Sequence, residues 1–600
     1  MFVCRWVSVL LLFPVSTVVA AESRPNVILI MSDDQGFGDI GYHGNKIIQT
    51  PHLDRLAEQS VRLTRFYVSP VCTPTRASLM TGRYNYRTRA IDTYIGRAMM
   101  DPAEVTVAEM LGAAGYRTGL FGKWHLGDSY PLRPQDQGFG SVLMHRGGGL
   151  GQPSDSPGNP GYTNAFLWRD GREFQSSGYC TDVFTDAAIE FIGREKSNPF
   201  FVYLAFNAPH DPLELPDADH ALYRDRDLSP EAQRALGMTV PDKIDADKTA
   251  RVYGMVTNLD RNLGRLFKSL DEQGLSQNTI VVFLTDNGPA YPRYNAGLRG
   301  QKASTYEGGI RAPCFIRWPA RLKPADCESL AAHIDLTPTL LQMCGVKAPD
   351  DVRFDGVNLL PVIEKREAAP DRLLFFQWHR GDAPEPRRAF AVRSGDWKLV
   401  RNGPIQDFPP RSRNPNAKRP PEPPIELFDL VTDPSESHNL AASRPDVAAA
   451  MLAKYDAWFA DVSATRGYDP PRIVVGTKHE PHTVLTWQDW RGPEAGWTAT
   501  SVGFWELSAS AAGNYRVVAR FLKPEAKPST EASVTVHWND ETFPARWSDD
   551  DQAYVAIVPD RVPGDIRLSA EKPAGGGKPA DGARPLPDRA PRWVEVSRVE

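Results

Sequence analysis

The residues in this 600-residue chain with the clearest capacity for chemistry are Cys72, Pro74 and Arg76, spaced as Cys-x-Pro-x-Arg within Val71-Cys-Thr-Pro-Thr-Arg-Ala-Ser-Leu-Met-Thr-Gly-Arg83. A cysteine alone is a buried thiol, half of a disulfide or a nucleophile. Its neighbours favour the third role: Pro74 fixes a turn, and Arg76 puts a permanent cation one helical step away. The helix-compatible run that follows would set residue 72 at a helix N-terminus, where free N–H groups and the helix dipole attract anions. The combination is a nucleophile beside an anion site.

Other polar residues come in short clusters. Asp33 and Asp34 are adjacent carboxylates. A cap or turn explains one of them, but two repel, and a hard cation with oxygen ligands is their natural neutraliser. Lys123 and His125, one residue apart in an extended segment, point to the same side. His210 stands in Asn207-Ala-Pro-His-Asp-Pro212, Asp286 and Asn287 precede Gly288, and Lys302 follows in residues 299–309. Gly147–Gly149 lack the spacing and the following Lys-Ser/Thr of a nucleotide loop. Residues 146–160, rich in Gly, Pro and Ser, read as a mobile surface loop rimming a pocket.

These clusters sit at the ends of apolar runs. Residues 25–31, 116–121, 199–206 and 279–285 are near-continuous hydrophobic stretches, as expected of strands buried on both faces of a mainly parallel sheet. Ligands of open α/β sheets bind at the C-terminal ends of such strands, which is where Asp33, Lys123, His210 and Asp286 fall. Thr50-Pro51 starts a helix, residues 105–114 form another closed by Gly115, and residues 251–270 are amphipathic, with Val252, Val256, Leu259, Leu263, Leu266 and Leu270 on one face. Short strands at 373–378, 389–392, 397–401 and 426–430, with a helix near 445–459, read as a smaller antiparallel unit interrupted by a Pro-rich loop at 404–424. After a linker at 468–471, alternating segments at 515–521, 533–538, 554–558 and 593–596 suggest a β-sandwich. The expected class is α/β: a large, mainly parallel β-sheet flanked by helices, a smaller antiparallel-sheet subdomain and a C-terminal β-sandwich. The expected divisions are 1–21, 22–345, 346–467 and 468–600.

A net charge of −5 argues against nucleic acid or another polyanion as the main partner. Arg5, the apolar run at 6–19 and the small residues after it read as a cleaved signal peptide, so a secreted or periplasmic location is expected. No later segment is apolar enough for a transmembrane span. Cys4 would leave with the signal. Cys72, Cys180, Cys314, Cys327 and Cys344 form neither a zinc pattern nor a dense disulfide framework, and one bridge among the last four stays open.

In order, Asp-Asp, Cys-x-Pro-x-Arg, Gly-Lys-x-His, His near Asp-Pro, Asp-Asn-Gly and a downstream Lys resemble the type I sulfatases of the alkaline phosphatase superfamily, from about residue 25 to 440. Thr75 departs from the commoner Ser or Ala. The resemblance implies that a formylglycine-generating enzyme converts Cys72 to formylglycine, and that Asp33, Asp34, Asp286 and Asn287 bind one Ca²⁺. The hydrated aldehyde would attack sulfur through one hydroxyl and collapse through the other. Arg76 would hold developing charge, Lys123 and His125 would anchor diol and sulfate, and His210 and Lys302 would bind sulfate and help protonate the leaving oxygen. A sulfated carbohydrate is the expected substrate, with a small aryl sulfate as a stand-in. Trp487, Trp490, Trp497, Trp505, Trp538 and Trp547 either stack on sugar rings or fill the sandwich core. The alternatives are a phosphate or phosphonate monoester hydrolase of the same superfamily, a non-catalytic carbohydrate-binding protein, and a structural exported protein.

Overall fold

The computed structural model describes residues 24–368, 370–403, 422–498, 500–521, 534–572 and 589–599. The expected signal at 1–21 lies outside them, as do most of the loops expected at 404–424 and 572–591.

A ten-stranded sheet forms the centre. Asn26–Ser32 lies between Thr279–Thr285 and Phe200–Ala205, and Arg117–Lys123 follows on the far side of the latter, all parallel. Pairing of Ser32 with Thr285, Met31 with Ala205 and Gly122 with Ala205 brings the C-terminal ends of these strands level. Five of the nine strand contacts are parallel. Four are antiparallel, made by Cys314–Arg317, wedged beside Thr279–Thr285, and by the edge hairpin Phe166–Arg169/Arg172–Gln175.

The apolar runs are continuous because both faces are covered. Val27, Leu29 and Met31 enter one core with the helices Cys72–Thr81, Val107–Ala113 and Leu336–Met343. Ile28 and Ile30 enter the other with Pro51–Glu58, Cys180–Glu195 and the long helix Ala246–Glu272. All six predicted apolar residues of that long helix are buried, each worth about 1.5–3 kcal/mol. Val107–Ala113 starts with a Thr106–Glu109 capping box.

Leu373–Gln377, Phe390–Ser394, Trp397–Arg401 and Glu426–Asp429 form a four-stranded antiparallel sheet. The helix Pro445–Ser463 covers it, with Met451 and Tyr455 packed on Phe390, Val392 and Leu427. The C-terminal strands make a nine-stranded ladder around one core. Its strand Glu541–Ser548 pairs first with Val534–Trp538 and then with Ala553–Arg561, turning the ladder into two layers. Trp487, Trp490, Trp505 and Trp538 are buried in that core, and Trp497 and Trp547 pack at its margin. Ile95, Met99 and Leu132 of the α/β body belong to the same cluster.

Two expectations change. Residues 146–156 are largely buried rather than a surface loop. Asp128 accepts from Gly147 N (2.7 Å), and Asp155 from Gly151 N (2.8 Å) and Ser156 N (2.7 Å), so buried carboxylates take the place of water for these three amides. The five cysteines from Cys72 to Cys344 are unpaired. No helix among the described residues is long and apolar enough to cross a membrane.

Candidate active site

The helix Cys72–Thr81 is buried along its whole length, so every residue type in it is constrained by a neighbour. It starts without a side-chain cap at Val71 and ends at Gly82, whose φ of 68° suits the left-handed cap. The Thr75 hydroxyl accepts from Ser69 N (2.9 Å) and lies 3.3 Å from Ser69 O, closing the turn before Cys72. Thr73 Oγ1 donates to His125 O (3.2 Å) and ties the helix start to the Lys123–His125 segment.

The aligned strand ends deliver the acidic residues. Asp34 N donates to Asp286 Oδ1 (3.2 Å), and Asn287 Nδ2 donates to Asp34 Oδ1 (2.8 Å). Asp34 has φ 63° and His125 φ 61°, left-handed conformations uncommon outside glycine and typical of constrained sites. Arg76 Nη2 lies 2.8 Å from Asp286 Oδ2 and 3.6 Å from Asp33 Oδ2, while Nη1 donates to Lys123 O (3.1 Å). Lys123 Nζ bonds Asp33, and Lys302 Nζ sits 2.6 Å from Asp34 Oδ1. His210 Nδ1 bonds Asp211 O (2.7 Å), with Nε2 3.8 Å from Asp34. His125 Nε2 bonds Thr93 O (2.8 Å). Nine of the ten predicted site residues thus form one connected cluster with Cys72 at its edge, and His125 joins through Thr73.

Burial and crowding set the protonation states. Burial, then Asp33, pushes Asp286 up to about 7 against the pull of Arg76 and Lys123. Burial also acts to raise Asp34, but Lys302 and His210 outweigh it and hold that carboxyl well below the usual range. Burial, reinforced by Lys302, holds His210 down to about 4, and burial with Lys123 depresses His125 strongly. The Cys72 thiol is raised by burial despite Lys123 and Lys302. An unmodified Cys72 is therefore a poor thiolate nucleophile.

The residues present fit a hard cation. Asp33 Oδ1 and Asn287 Oδ1 are buried and make no hydrogen bond among the described residues. Ligand atoms of Asp33, Asp34 and His210, and of Asp33, Cys72 and Asp286, each lie within 4.8 Å of one another. Four oxygen donors in one pocket suit Ca²⁺ or Mg²⁺ better than zinc.

Cys72, His125, His210 and Lys302 open onto a cavity of about 750 Å³. Its other walls include Tyr94, Arg97, Gly148, Trp378, Arg380 and Trp497. Gly148 belongs to the segment expected to rim a pocket and Trp497 was one of the candidate sugar-stacking tryptophans, whereas Tyr94, Arg97, Trp378 and Arg380 were not named from sequence. Arg380 follows the strand Leu373–Gln377 of the antiparallel sheet, where a strand end carries no ligand-binding expectation, so it lacked the signal that marked Asp33. Trp497 had only its aromatic character to mark it.

This α/β sheet, with acidic and basic groups converging at its strand ends, matches the sulfatase family over residues 25–346, and residues 300–408 match the C-terminal part of N-sulphoglucosamine sulphohydrolase. Human arylsulfatase A is 32% identical over 516 residues, covering 77% of this chain and 94% of its own. An N-acetylgalactosamine-6-O-sulfatase of Bacteroides thetaiotaomicron is 28% identical, covering 71% of this chain and 91% of its own. The crystal structure of Ps i-CgsB in complex with k-i-k-neocarrahexaose superposes with a TM-score of 0.62 at 27% identity, covering 74% of this chain and 95% of that one. The chain belongs to the sulfatase family. It is a sulfuric ester hydrolase.

Proposed function

We infer that the protein is an exported, formylglycine- and calcium-dependent sulfatase acting on a sulfated carbohydrate. The observation that carries this reading is the position of Cys72, at the start of a buried helix, between a cavity it shares with Lys302 and a buried cluster of Asp33, Asp286 and Lys123 beside it. A buried thiol with a raised pKa is ill suited to attack, and formylglycine in its place would supply a hydrated aldehyde as nucleophile. Asp33, Asp34, Asp286 and Asn287 would hold a calcium ion, which polarises a sulfate oxygen and favours ionisation of the nucleophile.

Three carboxylates and the three cations Arg76, Lys123 and Lys302 make the cluster formally neutral, so a bound dication leaves a net positive pocket for a sulfate ester. Arg76 keeps Asp286 and the Lys123 backbone in register and contributes fixed charge beside the reacting group. Lys302, on the cavity wall, holds a sulfate oxygen, and neighbouring His210, neutral before substrate binds, would take up a proton beside the bound ester's negative charge and pass it to the leaving oxygen. His125 donates through Nε2 to Thr93, which leaves Nδ1 as an acceptor for a hydroxyl at residue 72. The relatives that act on N-acetylgalactosamine sulfate and the carrahexaose complex support a carbohydrate substrate.

The protein should be made alongside a formylglycine-generating enzyme. Mass spectrometry of the peptide spanning residue 72 should then show the thiol replaced by aldehyde or hydrate, and elemental analysis one calcium per chain. Cys72→Ala should keep its circular dichroism and lose sulfate-ester hydrolysis. Activity from unmodified Cys72, stoichiometric zinc, or faster turnover of matched phosphate or phosphonate esters would overturn the reading. Recovery of protein lacking residues 1–21 from outside the cytoplasm tests the export.

A further inference from the structure

The cavity in front of Cys72 is far larger than a sulfate group needs, and about 750 Å³ is the range that takes ligands of several rings. Three segments remote in sequence meet there: Tyr94 from the α/β body, Arg380 beyond the strand Leu373–Gln377, and Trp497 from the C-terminal sandwich. The Arg380 guanidinium lies over the Tyr94 ring at 4.3 Å and 5.3 Å from that of Trp378. Trp497 also packs on Tyr94, edge-on at 5.1 Å, with Nε1 donating to Trp487 O (3.4 Å).

Arg380 is held by one end of its fork. Nη1 donates to Asp92 Oδ1 (3.1 Å) and Thr93 Oγ1 (3.4 Å), while Nε and Nη2 make no hydrogen bond among the described residues. Asp92 is fully buried and also faces Arg97 Nη1 at 3.7 Å. Arg97's other acidic neighbour, Asp382, is 3.9 Å away and 70% exposed. Two guanidiniums thus share one buried carboxylate, and the excess positive charge faces the cavity. The loop carrying Tyr94 is pinned from the sandwich side, since Gln488 Nε2 donates to Thr93 O (3.0 Å) and Gly96 N donates to Gln488 O (2.8 Å).

A guanidinium with a free edge binds a carboxylate or sulfate through paired donors, and a half-buried indole offers a flat face to a sugar ring. We propose that Arg380, Tyr94 and Trp497 form a specificity subsite that takes a saccharide bearing a second anionic group, a carboxylate or a further sulfate, beside the ester that is cleaved. The proposal rests on the sulfatase reading. It makes the C-terminal sandwich part of the substrate pocket, where its Trp497 contributes a wall.

The test uses the full-length, formylglycine-bearing enzyme and its Arg380→Gln and Trp497→Ala variants. Each is assayed on a small aryl sulfate, a monosulfated neutral disaccharide, a monosulfated uronic-acid disaccharide and a disulfated disaccharide. Arg380→Gln should lower kcat/KM on at least one of the two dianionic substrates about tenfold to a hundredfold, mainly through KM. On the aryl sulfate it should change kcat/KM less than threefold, and the dianion with the larger loss identifies the group as carboxylate or sulfate. Trp497→Ala should weaken all three saccharides and spare the aryl sulfate. Calorimetric binding of the two products, the desulfated uronic-acid disaccharide and the disulfated disaccharide stripped of its cleavable ester, needs no turnover, and one of them should bind Arg380→Gln at least tenfold more weakly than wild type. Equal losses on aryl sulfate and dianions, or unchanged binding of both disaccharides, overturns the subsite while leaving the sulfatase reading intact. Absence of any sulfate-ester hydrolysis with the binding difference preserved overturns the activity and keeps the subsite.

Discussion

Arg76 concentrates the demands of the site in one side chain. Its fork reaches Asp286 with Nη2 and the Lys123 carbonyl with Nη1, and the Tyr203 hydroxyl lies 3.4 Å from the same Nη1. A lysine keeps the charge but cannot span two partners on different strands. Arg76→Lys should therefore fold yet lose about two orders of magnitude in kcat/KM, the size expected for a preorganised charge at a reacting centre. Arg76→Ala should additionally lose about 3–5 kcal/mol of stability, because it leaves Asp286 and Asp33 buried without their guanidinium. Steady-state kinetics on an aryl sulfate and urea unfolding separate the two effects. Equal stability of Arg76→Ala and wild type would show that the ion pair is neutral to folding. Arg76 was legible in sequence because it stands four residues after Cys72 on the same helix. Tyr203 was not, because it lies inside a buried strand where a tyrosine reads as core.

Positioning at the level of elements depends on how closely the central strands approach. Gly122, at the end of Arg117–Lys123, has φ 118°, and a Cβ there would lie 1.9 Å from Ala205 O on the neighbouring strand. That contact is backbone, so no side chain can yield. Gly122→Ala should cost about 3 kcal/mol or more and displace Lys123, and a thermal midpoint close to wild type would contradict the packing. Element positions were legible wherever burial was uniform: Thr279–Thr285 and Trp397–Arg401 begin and end where their apolar or alternating runs do. Cys314–Arg317 was missed because four residues between prolines and glycines carry no period. Residues 146–156 misled because glycine and serine usually mark exposed turns. Here, Gly148 is small because a Cβ would come 2.6 Å from His125 Cε1, and the supporting carboxylates, Asp128 and Asp155, are distributed along the sequence.

The whole molecule is joined by a seam that composition alone did not disclose. Besides Ile95, Met99 and Leu132 in the sandwich core, Arg146 Nη2 donates to Val484 O (2.7 Å), Tyr130 N to Glu480 (2.8 Å) and Arg133 Nη2 to His479 O (3.2 Å). The tryptophans after residue 486 left core and sugar-stacking roles open, and nothing in their spacing told that Trp497 reaches the cavity while Trp487, Trp490, Trp505 and Trp538 fill the core. Asp489 sits in this seam with neither carboxylate oxygen hydrogen-bonded among the described residues. Burial, with Asp128 close by, pushes it up to about 8 from an ordinary 3.8, against the pull of Arg146. Between those values the folded chain keeps a proton that the unfolded chain has released. As far as this group is concerned, stability should therefore be greatest below about pH 4 and fall steadily as pH rises to about 8, by an amount on the order of a few kcal/mol. Asp155, also held up to about 8 by burial, acts in the same direction. Asp489→Asn removes the titrating proton while keeping the shape. Its melting temperature should exceed that of wild type at pH 8, match it near pH 4, and fall less steeply between the two, read by scanning calorimetry at fixed calcium and ionic strength. A variant that keeps the full wild-type slope would show that the pH dependence arises elsewhere, with Asp155→Asn the next substitution to separate seam from loop.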